Sequence, residues 1–229
     1  MTEYPHAASR TVSMGAPMAS AEGVLILLHG RGATAESMLD FHEALEVPGL
    51  HCVALQADNY SWYPNSFLAP LPMNQPHLDG ALQRLDRLFD AVLEYGHALR
   101  SIGMLGFSQG ACLSLEFLAR SNRKPRAVVA LSGGLIGTSS RPDLPPPDDK
   151  LFEYDQRLDG VDVFLGCSDV DAHIPLSRVE RSARVLERLG ATVDKRIYPG
   201  MAHTVNSDEL LAARKLVAGI CTPDSAPLQ

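Results

Sequence analysis

This sequence has no block of basic residues, no CxxC pair and no apolar stretch long enough to cross a bilayer. Each absence removes a class of function. A net charge of −7 without a Lys/Arg cluster offers no electrostatic footprint for phosphate backbones, so no nucleic-acid partner is expected. The longest apolar run, Val24–Leu28, falls far short of the roughly 20 residues of a spanning helix. The four cysteines (Cys52, Cys112, Cys167 and Cys221) lie far apart, with no histidine at zinc spacing. Reduced, packed thiols are therefore expected, and no disulfide framework. There is no HExxH motif or other clustered ligand spacing, and neither a metal nor a cofactor is expected. The opening MTEYPHAASRTVSMGAP has no apolar core segment and does not read as a secretory signal. A soluble, cytoplasmic protein is expected.

What is present is ordinary globular composition, with 45% hydrophobic residues over 229 positions. One domain covering 1–229 can bury a large core at this length. Short apolar runs recur at Val24–Leu28, His51–Leu55, Ile102–Phe107, Ala127–Leu131, Val161–Leu165 and Thr192–Ile197. Most are nearly continuous in Val, Ile, Leu and Phe, as strands buried on both faces are. Helical patterns lie between them. Leu78, Leu82, Leu85, Phe89 and Val92 fall on one helical face, as do Leu176, Val179, Ala183 and Leu186, with Gly190 placed to end the second helix. Ala111–Arg120 and Asp208–Ile220 read as two further helices. Alternating strands and helices predict a mostly parallel central sheet with helices on both faces.

Two Pro-rich segments interrupt this rhythm, 58–76 and 137–150. Both read as loops flanking an active site. Trp62, Tyr63 and Phe67 fall in the first, where three aromatics need apolar surface to cover. They are expected to roof a substrate pocket.

The strongest motif is Gly106-Phe107-Ser108-Gln109-Gly110, which follows one strand pattern and opens a helix. A GxSxG turn in that context exposes a serine on a tight, strained elbow whose glycines let strand and helix approach. Ser108 is thus the candidate nucleophile. A serine hydroxyl needs a base, and the base needs an orienting acid. His203, in the Gly/Pro-containing loop after the last strand, is the histidine placed last in chain order. His173 is its one rival. Two carboxylates follow the Val161–Leu165 run, Asp169 and Asp171. Pro175 suits the first turn of the next helix, which places Asp171 late in its loop, while Asp169 would brace the loop through its own backbone. For the oxyanion, the N–H of Gln109 needs a second donor, and Arg31 in Leu28-His29-Gly30-Arg31-Gly32 follows an early strand. His29 reads as a structural histidine pinning that loop, and the Arg31 side chain as solvated.

These pieces, LHGRG (28–32), GFSQG (106–110), LSGG (131–134), DAHIP (171–175) and YPGMAH (198–203), resemble the phospholipase/carboxylesterase group of the α/β-hydrolase superfamily, which includes acyl-protein thioesterases. The resemblance implies the α/β-hydrolase fold, a Ser108–His203–Asp171 triad and oxyanion donors at Arg31 and Gln109. It also implies hydrolysis of a small-molecule ester or thioester without metal or cofactor, and it admits a homodimer. Ala33, Ala111 and the short SWYP match (61–64) depart from the thioesterase pattern and favour a carboxylesterase acting on small or medium esters. The alternatives are a lysophospholipase or thioesterase for longer acyl chains, and a non-catalytic module that keeps only the fold.

Overall fold

The computed structural model describes residues 4–138 and 152–222. Seven strands form one sheet: β1 (Thr11–Gly15), β2 (Gly23–Leu28), β3 (Leu50–Leu55), β4 (Ile102–Phe107), β5 (Ala127–Leu131), β6 (Asp162–Ser168) and β7 (Thr192–Tyr198). Their spatial order is β1-β3-β2-β4-β5-β6-β7. Six strands are parallel, and β1 alone pairs antiparallel, on the outer side of β3. All six expected apolar runs are strands. The seventh, β1, is an edge strand of sequence TVSMG with mostly exposed side chains, so it carries no continuous apolar run.

The helices are α1 (Ala35–Met38), α2 (Asp40–Leu45), α3 (His77–Glu94), α4 (Gln109–Arg120), α5 (Leu176–Leu189) and α6 (Ser207–Ala218). Strand side chains alternate between two buried layers: Val24, Ile26 and Leu28 face one core, Leu25 and Leu27 the other. Helices α3, α4 and α5 cover the first layer, and α1, α2 and α6 the second. The expected faces are the packed ones: Leu78, Leu85, Phe89 and Val92 on α3, and Val179, Ala183 and Leu186 on α5, are buried. Gly190 ends α5 at φ +105°, in the left-handed region that favours glycine. Helix α4 has no solvent face, since Gln109 through Ala119 are all buried. Of the second Pro-rich segment, only 137–138 lie within the described residues. Among those residues no helix is long and apolar enough to cross a membrane.

This topology positions the site. From β2 the chain crosses to β3 on one side, then returns to β4 on the other side of β2. The strand order therefore reverses between β2 and β4, and the loops leaving their carboxyl ends diverge to opposite faces. A crevice at that point is where ligands bind in open α/β sheets.

Candidate active site

Ser108 sits in this crevice, directly after β4. Its backbone is at φ 54° and ψ −116°, a strained conformation for a side-chain-bearing residue that costs of order 1–3 kcal/mol. The neighbouring glycines make it feasible. A Cβ at Gly106 would collide with the Gly110 backbone, and one at Gly110 with the Leu28 carbonyl, so β4, α4 and β2 could not otherwise approach. The Ser108 N–H donates to Leu131 O at 2.9 Å, which fixes the elbow onto β5.

His203 reaches back from the loop between β7 and α6, with Nε2 2.9 Å from Ser108 Oγ and Nδ1 2.6 Å from Asp171 Oδ2. Its ring lies between those of Phe107 and His173, at centroid distances of 5.0 and 4.9 Å. The Asp171 carboxylate is fully buried. Oδ1 accepts from the N–H groups of His173, at 2.8 Å, and Ile174, at 3.0 Å. Burial alone would raise its pKa. The hydrogen bonds from His203, His173 and Ile174 outweigh burial and hold it below the ordinary carboxylate value. His173 contacts the serine-bound imidazole edge-on and makes neither of its bonds. Asp169 does brace a loop, but not its own: Oδ1 accepts from Gly200 N at 2.8 Å, tying the β6 loop to the loop that carries His203.

The N–H groups of Arg31 and Gln109 border the same space. Gln109 opens α4, where first-turn N–H groups have no helical acceptor. Among the described residues neither N–H has an acceptor within the protein. His29 is a structural histidine: Nδ1 donates to Gly30 O at 2.7 Å, and Nε2 accepts from Ala57 N at 3.0 Å. Burial lowers its pKa, keeping it neutral.

The Arg31 side chain is not simply solvated. Nη1 donates to Ser61 Oγ (3.0 Å) and Pro64 O (2.9 Å), and Nη2 to Tyr63 O (3.0 Å) and Asn65 O (2.6 Å). Gln109 grips the same loop from the other side. Its Oε1 accepts from Trp62 N at 3.0 Å, while Nε2 donates to Tyr63 O at 2.9 Å and Ser61 Oγ at 3.3 Å. Ser61 Oγ thus lies between the side chains of Arg31 and Gln109. Buried Asn74 adds a third hold, accepting from Asn65 N at 2.9 Å and donating to Ser66 O at 3.0 Å.

A cavity of about 480 Å³ opens over Ser108. Its wall includes Tyr63 and Phe67, as the aromatic segment suggested, together with Phe107, Cys112, Ile174 and His173. Trp62 is not on that wall. It is fully buried in the core, where Nε1 donates to His29 O at 2.8 Å. A buried indole needs an acceptor, and the carbonyl before Gly30 supplies it. Sequence reasoning did not find Ser61, Asn74, Cys112 or Ile174. Cys112, one turn after Ser108 on α4, was the one that motif spacing could have flagged.

Comparisons with known proteins bear on the family and the fold. The family model for phospholipase/carboxylesterase proteins matches residues 10–220. The crystal structure of a phospholipase/carboxylesterase from Dyadobacter fermentans superposes with a TM-score of 0.83 at 34% identity, covering 95% of this chain and 98% of that one. Acyl-protein thioesterase 1 of Gibberella zeae is 30% identical over 123 residues, 54% of this chain and 49% of that protein. Cyanate hydratase of Coprinopsis cinerea is 30% identical over 106 residues, 44% of this chain and 64% of that protein. The matches thus span about half to two thirds of these curated relatives, and neither named reaction transfers from such partial spans. The near-complete family match does not have that limit: this chain is a member of the phospholipase/carboxylesterase family of α/β hydrolases.

Proposed function

We propose that this protein is a serine carboxylesterase that works through an acyl-enzyme on Ser108. The observation that carries the reading is the unbroken hydrogen-bond chain from Asp171 through His203 to Ser108 at the floor of an open cavity. In this reading His203 Nε2 accepts the Ser108 proton as Oγ attacks the acyl carbonyl, and Asp171 stabilises the imidazolium that forms. The oxyanion takes up the N–H groups of Arg31 and Gln109, which are preorganised by the loop their side chains grip. His203 then protonates the departing alcohol, and a water activated by the same imidazole releases the acid. No step requires a metal or cofactor. The four cysteines, all free thiols, suit the cytoplasmic setting expected from the sequence.

A cavity of about 480 Å³ is in the range of small-molecule sites, and the departures from the thioesterase pattern at Ala33, Ala111 and 61–64 favour short and medium esters. Hydrolysis of 4-nitrophenyl esters with two to sixteen acyl carbons tests this. The expected optimum lies at short to medium chains, and Ser108→Ala removes turnover by about 10⁶. A maximum at the longest chains would support the thioesterase or lysophospholipase alternative. Absence of any turnover would support a non-catalytic module.

A further inference from the structure

The charge lining the cavity is opposite to that of the molecule. The protein carries a net charge of −7, yet among the described residues no carboxylate lines the space over Ser108. Arg31 does line it. The nearest acid, Asp171, is buried behind His203 and spends its oxygens on that imidazole and on two N–H groups. Arg31 differs from the cations of the molecule that pair with carboxylates. Arg10, Arg126, Arg196 and Arg214, for example, pair with Glu36, Asp162, Asp194 and Glu46. Among the described residues Arg31 has no carboxylate partner, and its four hydrogen bonds all go to neutral oxygens. A guanidinium held that way is fixed in place without being neutralised. Helix α4 adds to the same field, since its N-terminus opens at Ser108 and its first turn contains no acidic residue.

We infer that the physiological ester bears an anionic group, such as a carboxylate, on its acyl or alcohol part, and that Arg31 selects for it. The inference rests on the esterase reading above and adds the chemical class of substrate. Two matched pairs isolate charge from shape: monoethyl glutarate against ethyl 4-carbamoylbutanoate for the acyl side, and acetoxyacetate against 2-acetoxyacetamide for the alcohol side.

Hydrolysis is followed by pH-stat at low and high salt. In at least one pair the anion is expected to have a kcat/KM about tenfold above the amide's, with the ratio shrinking in high salt. Arg31→Gln should bring that ratio to about one, and Arg31→Lys should keep part of it. Loss of loop order lowers both members of a pair alike, so the ratio reads charge. Calorimetry on Ser108→Ala, with the same four compounds, gives a readout that needs no turnover. Ratios at or below one in both pairs, or equal Kd values for anion and amide, would overturn the inference and leave the esterase reading standing. Tighter anion binding without hydrolysis of any ester would overturn the esterase reading instead.

Discussion

The two sides of the crevice are built differently. On the His203 side, chemistry is carried by side chains at the ends of β4, β6 and β7, each held by few bonds: Asp171 by two N–H groups and the imidazole, and the His203 loop by Asp169. On the Arg31 side, the groups proposed to meet the carbonyl are backbone N–H groups, and the side chains of Arg31 and Gln109 act as clamps converging on Ser61–Asn65. A triad must hold three named side chains in line. An oxyanion site must hold a backbone still, and whichever side chains do that are free to vary.

The largest effect expected from this contrast is on the triad side. Asp171→Asn keeps the shape but offers His203 the wrong tautomer, so turnover should fall by about 10⁴, measured as kcat on a 4-nitrophenyl ester. Asp169→Asn keeps an amide oxygen that can still accept from Gly200 N, and should cost far less. If the two variants ranked the other way, Asp169 would be the acid.

Trp62→Ala tests whether the aromatic segment is wall or core. The indole is fully buried and hydrogen-bonded beneath the loop, so the variant should lose about 3–5 kcal/mol of stability in denaturant unfolding. Its relative preference for acetate over longer acyl esters should not change. A selective rise in KM for the longer esters would return Trp62 to the pocket.

Ser61→Ala probes the clamp itself. Loosening both N–H donors at once should lower kcat by up to about 10² with little change in KM, because the interaction strengthens only as the oxyanion forms. An effect confined to KM would mean that Ser61 shapes ground-state binding rather than the oxyanion side.

The smallest effect is a pH dependence of stability. His6, whose Nε2 donates to Trp62 O at 3.0 Å, and His29 both have pKa values lowered, chiefly by burial. The unfolded chain therefore binds protons more readily than the fold. Stability from these sites is fully present above pH 6.5 and declines as pH falls below it. Tm should drop between pH 8 and pH 5.5, and His6→Gln should flatten that drop.

The same contrast explains what was legible in the sequence. Strands β2 to β6 announced themselves because burial on both faces forces continuous apolar runs, and Ser108 because its elbow forces glycine at 106 and 110. Strand β1, half in solvent, and the short α1 and α2 left no periodic trace. Trp62, Tyr63 and Phe67 were legible as a cluster but not as core versus wall, since an irregular loop has no period to fix which way a side chain points. Ser61 acts through hydrogen bonds to the side chains of Arg31 and Gln109, and Asn74 through bonds to backbone atoms across that loop, and no residue pattern encodes such bonds.

The most direct measurement of the central claim is fluorophosphonate labelling mapped by peptide mass spectrometry. The expected result is one adduct, on the peptide containing Ser108, formed by the wild-type protein and lost in His203→Ala. An adduct on another serine, or undiminished labelling of Ser108 without His203, would contradict it.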